Sequence, residues 1–241
     1  MRFPSSTIAA CAVLVAGGAH ASIAACRAES PAALTPVIEL YTSEGCSSCP
    51  PADRWLSGLK GTAAGGGAVV QAFHVGYWDY IGWIDRFASP AHTSRQRTVA
   101  AQNGKPGIYT PQLVRNGQDW RDYSRALDRG ESARARITLE KNTDDSFEAR
   151  VTPAEGVSAW GAYWTVTEHG HSSKVKAGEN AGEFLQHDFV VRQYVPVGEY
   201  RGSSKLTLRA VPRQPAHPRQ VNLVVFDPKS GKPLQALSLG C

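Results

Sequence analysis

The stretch Tyr41-Thr42-Ser43-Glu44-Gly45-Cys46-Ser47-Ser48-Cys49-Pro50-Pro51 constrains the fold more than any other part of the chain. Two cysteines stand three apart where an apolar run gives way to a helical pattern. Upstream, Val37-Ile38-Glu39-Leu40-Tyr41 is apolar and bounded by Pro36, which predicts a short strand. Downstream, Ala52, Trp55, Leu56 and Leu59 recur on one face of a helix, with Gly61 as its stop. Pro50 and Pro51 fit a helix that starts near Ser47, because first-turn N–H groups have no helical partner anyway. Cys46 is then expected at the helix N-terminus and Cys49 one turn inside. Free N–H groups and the helix dipole favour a thiolate there, so Cys46 should be the more accessible and more acidic of the two. Buried or metal-bound cysteine pairs share the C-x-x-C spacing. The strand–turn–helix setting favours redox chemistry.

The first 21 residues read as a signal peptide: Arg2, an apolar run from Thr7 to Gly18, and the A-x-A site Ala19-His20-Ala21. Export to the periplasm or beyond follows, with no transmembrane segment, and disulfides persist in such a compartment. Loss of the leader removes Cys11 and leaves Cys26, Cys46, Cys49 and Cys241. An even number suggests pairing, and Cys26 with Cys241 is the natural structural disulfide. Ile23-Ala24-Ala25-Cys26 also reads as a relaxed lipobox, which would make Cys26 a lipid anchor instead. The net charge of +5 comes from scattered basic residues with no nucleic-acid motif, so nucleic acid is not an expected partner.

A linker (22–35) precedes the first strand. Val69 to Val75 predicts a second, central strand, parallel to the first through a right-handed crossover. The aromatic run from Tyr77 to Phe87 follows the C-terminal end of that strand, where open α/β sheets place their sites. Tyr77 and Trp78 are the candidate substrate-binding residues in it. A loop packed down by its own aromatics is the competing reading. Ser89-Pro90 opens a helix running to about Asn103. Pro111 precedes a hairpin strand whose turn is Asn116-Gly117. A short helix over Tyr123 to Arg129, capped by Asp122, closes residues 36–131.

That order, strand-helix-strand-helix-strand-strand-helix, is the minimal thioredoxin arrangement. The Cys46 turn resembles the active-site turn of glutaredoxins. Thr110-Pro111 resembles the cis-proline loop of thioredoxin-like proteins, which implies a cis bond and a substrate-binding role for both residues. The resemblance also implies that Cys46 attacks and Cys49 resolves. No aromatic residue immediately precedes Cys46, where Glu44-Gly45 stands, and the nearest match to the buried acid of thioredoxins is Glu39, one residue out of place. Gly-Cys-Ser-Ser-Cys-Pro-Pro-Ala-Asp, Phe-His-Val-x-Tyr-Trp-Asp-Tyr-Ile-Gly-Trp, Arg-Gln-Arg and Tyr-Thr-Pro-Gln together resemble the exported family called domain of unknown function 1223.

Residues 134–241 change texture. Seven short strands at Arg136–Glu140, Phe147–Val151, Ala162–Glu168, Asp188–Val195, Leu206–Val211, Val221–Phe226 and Leu234–Leu239, separated by turns such as Asp144-Asp145, predict a separate all-β, sandwich-like domain. The expected architecture is therefore an α/β thioredoxin-like domain (βαβαββα) followed by a β-sandwich-like domain. The expected function is thiol–disulfide exchange through Cys46 and Cys49 with protein thiols or disulfides as partners, and no cofactor. Two alternatives remain. One is a soft-metal carrier using Cys46, Cys49 and His74. The other is a protein-binding module stapled by the same cysteines. Glu168-His169-Gly170-His171, with His187-Asp188, is a weaker metal candidate whose histidines are more simply read as exposed.

Overall fold

The computed structural model describes residues 26–143 and 145–241. The expected signal peptide, its cleavage site, Cys11, the lipobox residues before Cys26 and the Asp144 half of the predicted turn lie outside the described residues.

In chain order the first elements are β1 (Arg27–Glu29), β2 (Val37–Thr42), α1 (Pro50–Ser57), α2 (Lys60–Ala64) and β3 (Val69–His74). Then come α3 (Pro90–Gln102), β4 (Gln112–Arg115) and β5 (Gln118–Asp119). The second half is all strand: β6 (Ala135–Thr143), β7 (Ser146–Pro153), β8 (Trp160–Glu168), β9 (His171–Lys174), β10 (Phe184–His187), β11 (Val190–Tyr200), β12 (Ser204–Arg209), β13 (Arg219–Phe226) and β14 (Pro233–Leu239).

The expected two-part architecture is overturned by one sheet. Eight strands run in the order β14-β13-β8-β11-β3-β2-β4-β5, so strands from both halves of the chain share it. The seam is β11 beside β3, parallel, with Val190 opposite Ala72 and the Ala72 N–H donating to the Phe189 carbonyl at 2.8 Å. All six β3 residues are buried, and its open edge would be an unpaired apolar template if β11 did not cover it. Among the described residues the regular structure is mostly strand, in three sheets, and is not a βαβαββα unit with a β domain attached. The closing helix expected over Tyr123 to Arg129 is only a 3₁₀ turn, Tyr123–Arg125.

The layers follow from strand alternation. Ile38 and Leu40 of β2, Val70 and Ala72 of β3 and Leu113 of β4 point to one face, where Ala52 and Leu56 of α1 cover them. Tyr41, Phe73 and Val114 point to the other, against Val99 of α3. Beyond the seam, a four-stranded sheet β1-β6-β7-β12 covers one face of the same large sheet. Ile137, Leu139, Phe147 and Val151 meet Trp160, Trp164, Leu223 and Val225 there. The predicted strands of residues 134–241 are thus present, but divided between this cover and the continuous sheet.

Cys26 and Cys241 are disulfide-bonded with Cα atoms 6.2 Å apart, tying β1 to the chain end. Among the described residues no helix is long and apolar enough to cross a membrane.

Candidate functional site around Cys46 and Cys49

β2 ends at Thr42, and the chain turns at Ser43–Ser48 before α1. Cys46 and Cys49 are bonded across this turn with Cα atoms 5.5 Å apart. The helix begins at Pro50, not near Ser47: Cys49 is its N-cap and Cys46 lies three residues ahead. Pro50 and Pro51 occupy the first helical positions, where their missing N–H groups leave nothing unpaired. Cys46 is 1 % exposed and Cys49 0 %, so both are buried in the disulfide-bonded form.

Two segments far away in sequence bury the turn. The first is the aromatic run after β3. A Cβ on Gly45 would lie 2.9 Å from the Trp78 Cβ, so glycine there lets Trp78 pack against the turn. The Trp78 indole N–H donates to the Thr110 hydroxyl at 2.8 Å, and the Trp83 indole N–H donates to the Glu44 carboxylate at 2.7 Å. The Thr110–Pro111 bond is cis. Trp78 therefore bridges the disulfide turn to the Thr110–Pro111 loop. Tyr77 is partly buried against Tyr41, Phe73 and Val99, whereas Tyr80 and Ile84 project at 82 % and 75 % exposure. Gly45→Ala should cost about 1–3 kcal/mol by pushing Trp78 off the turn. Chemical denaturation would measure it, and a neutral result would mean that Trp78 yields freely.

The second segment is the β9–β10 hairpin, a two-stranded sheet of its own. Its tip reaches over the turn. The Asn180 side-chain amide donates to the carbonyls of Glu44 (2.9 Å) and Cys46 (3.0 Å), and the Ser47 N–H donates to the Glu179 carboxylate at 3.0 Å. Gly178 fits between Ile81 and Trp83, joining hairpin and aromatic run.

Beneath the turn lies a group of buried ionisable side chains. Asp85 accepts from His74 Nδ1 (2.7 Å), from the Glu44 N–H (2.9 Å) and from the Phe87 N–H (2.9 Å). Burial alone would push Asp85 up, but the His74 charge and these hydrogen bonds outweigh it and hold the carboxyl below the usual range. Burial opposes protonation of His74 too; the Asp85 carboxylate wins and raises it. Asp53, one helical turn after Cys49, accepts from the Thr42 hydroxyl at 3.1 Å, and burial raises its carboxyl. His187 Nε2 is 3.2 Å from the Glu44 carboxylate. A cleft of about 90 Å³ lined by Pro50, Asp53, Arg54 and His187 approaches this group between α1 and β10.

The chain belongs to the DUF1223 family. The family described as "Protein of unknown function (DUF1223)" matches residues 37–226, which include the disulfide turn, the aromatic run and the hairpin. This DUF1223 protein is similar to the crystal structure of protein AGR_C_4864 from Agrobacterium tumefaciens. The two are 26% identical with a TM-score of 0.64, over 86% of this chain and 94% of that one. It also shares a fold with HBP35 of Porphyromonas gingivalis, at 12% identity and a TM-score of 0.59, over 87% of this chain and 76% of that one. No curated protein matches the chain.

The other sequence candidates fall elsewhere. Glu39 is on the opposite face of β2 from Asp53, paired with Arg95 of α3. His169 and His171 are not free in a polar turn: His171 is buried, bonded to Glu168 at 2.9 Å and stacked on His217. Among the described residues no group of three His, Cys, Asp or Glu side chains is arranged to hold a metal ion. His74 Nδ1 is taken by Asp85 and both cysteines by their own bond, which leaves the metal-carrier reading of Cys46, Cys49 and His74 without support. Sequence reasoning missed Asp85, Asp53, Glu179 and Asn180. Their proximity to the cysteines is a product of tertiary folding, apart from Asp53, whose i+4 spacing from Cys49 was available.

Proposed function

We propose that this DUF1223 protein is an exported thiol–disulfide oxidoreductase in which Cys46 and Cys49 exchange with thiols or disulfides of partner proteins. The observation that carries the reading is the Cys46–Cys49 bond in a turn ahead of a helix, linked through Trp78 to Thr110 and the cis Pro111. In the reducing direction, an incoming thiolate attacks the Cys46 sulfur, the S–S bond breaks, and its electron pair leaves on Cys49, which takes a proton. A second thiolate from the same dithiol displaces Cys46 and carries away the oxidised pair. The likeness to glutaredoxins and other thioredoxin-like proteins is local and supports the chemistry, not the architecture. Tyr77 and Trp78 would form part of the partner surface. Two disulfides support an oxidising compartment, and the Cys26–Cys241 bond uses the sulfur that a lipid anchor would need.

Burial of both sulfurs favours one competing reading, a permanent staple. The two separate experimentally. Full-length protein carrying Cys49→Ala should accumulate mixed disulfides through Cys46 with other exported proteins, released by reductant. A Cys46→Ala control should accumulate none through that turn. A wild-type Cys46–Cys49 bond that resists dithiothreitol in the folded protein, with no adducts on the variant, would establish the staple.

A further inference from the structure

The hairpin tip engages the backbone on both sides of Cys46. When the disulfide opens, negative charge on Cys46 depends on nearby peptide N–H groups. The supply is thin. Pro50 and Pro51 have no N–H, and that of Cys49 donates to the Cys46 carbonyl at 3.2 Å. Ser47 and Ser48 carry the remaining N–H groups after Cys46, and the Ser48 hydroxyl lies 3.4 Å from the Cys46 sulfur. The Ser47 N–H is held by the Glu179 carboxylate at 3.0 Å. Asn180 fixes this arrangement: it is buried, and its amide clamps the carbonyls on either side of Gly45.

Resting on the oxidoreductase reading, we infer that Glu179 is a positioning residue that sets the redox poise of Cys46 by taking the Ser47 N–H and holding a carboxylate against the residue that follows Cys46. Both effects act in the same direction. A captured donor cannot solvate the thiolate, and a neighbouring negative charge opposes it. Glu179 therefore keeps Cys46 protonated to higher pH and favours the disulfide over the dithiol wherever Cys46 would otherwise ionise. The hydrogen bond from Ser47, more than anything else around it, lowers the Glu179 carboxyl, so the charge persists through the neutral range.

The other charged groups packed around the turn do not duplicate this contact. Glu44 is engaged by Trp83 and His187, Asp53 by Thr42, and the His74–Asp85 pair holds the Glu44 N–H. Arg54 on α1 and Lys176 and Glu183 on the hairpin are exposed, as Glu179 is, but of these only Glu179 is hydrogen-bonded to the turn.

The experiment uses the full chain with Glu179→Gln and Glu179→Ala. Gln keeps an acceptor for the Ser47 N–H but removes the charge; Ala removes both. The Cys46 pKa is read from the pH dependence of iodoacetamide labelling in the reduced proteins, and the disulfide equilibrium is measured against dithiothreitol. Expected is a fall in the Cys46 pKa of about one pH unit for Ala and a smaller fall for Gln, with added salt narrowing the Gln effect. The equilibrium should move toward the dithiol by approaching tenfold, about 30 mV for a two-electron couple, above both pKa values and hardly at all below them. Unchanged pKa and equilibrium in both variants, with circular dichroism intact, would overturn the role of Glu179 and leave the oxidoreductase reading standing. A wild-type disulfide that dithiothreitol cannot open would remove both.

Discussion

Arg95→Met should destabilise the fold by about 3–5 kcal/mol, the usual consequence of removing one partner of a buried ion pair. The Glu39 carboxylate is 2 % exposed, where an unpaired charge is costly. It accepts from Arg95 Nε at 3.1 Å, from Arg95 Nη2, and from the hydroxyls of Tyr41 and Tyr163 at 2.7 Å each. The guanidinium also lies 4.0 Å from the centre of the Tyr163 ring, and burial holds the Tyr41 and Tyr163 hydroxyls protonated. Methionine would keep much of the packing and none of the charge. The melting temperature should fall by roughly 10 °C for a chain of this size. Glu39→Leu in the same chain should restore part of the loss, because the cost is an orphaned charge and not a missing attraction. A single-variant loss below about 1 kcal/mol in denaturant titration would show that water reaches Glu39 and that the pair is dispensable.

This network also shows what a sequence cannot reveal. Glu39 and Tyr41 belong to β2, Arg95 to α3 and Tyr163 to β8, and they meet only because one sheet joins both halves of the chain. Strand existence was legible from local pattern. So were the Ser89 cap and Pro90 that open α3, with the Ala91 N–H on the Ser89 hydroxyl, and the Asn116-Gly117 turn, where both residues have positive φ. Strand neighbours were not legible. Nothing in Val69–His74 specifies that its second edge pairs with Val190, 116 or more residues further on. Alternation of apolar residues fixes which face is buried, not which strand lies alongside. The two halves of the chain therefore read as two bodies, although strands from both share one sheet.

At the site, the cysteine spacing and the cis-proline loop were readable, but their surroundings were not. The helix start was misplaced because none of a helix's first four N–H groups has a helical partner, so the two prolines allowed several starts. Burial of Cys46 comes from Trp78, 32 positions after it, and from Asn180, 134 positions after it. Gly178-Glu179-Asn180-Ala181-Gly182 reads as an ordinary turn, and only folding brings its amide to the Cys46 carbonyl.

Asp85→Ala should have an effect comparable to that of Arg95→Met, about 3–5 kcal/mol, and should loosen the disulfide turn as well. The carboxylate ties the end of β3 to the turn by holding His74, the Glu44 N–H and the Phe87 N–H at once. Alanine would leave a buried imidazole and two peptide donors without an acceptor. The pH dependence gives the ion pair its own signature. His74 is raised, so its contribution is complete below its ordinary value of 6.5 and is lost as pH climbs through the raised one. Asp85 is lowered, so its contribution is complete above its ordinary value of 3.8 and is lost as pH falls through the lowered one. The stability gap between wild type and Asp85→Asn should therefore be widest between these two ordinary values and shrink on the alkaline side. Denaturant titrations across the acid-to-neutral range would measure the gap directly. A gap that stays constant with pH would mean that His74 is neutral throughout and that Asp85 acts only as a hydrogen-bond acceptor. If Asp85→Ala also opens the turn, the Cys46–Cys49 bond should be reduced by dithiothreitol faster than in wild type under conditions where both proteins remain folded.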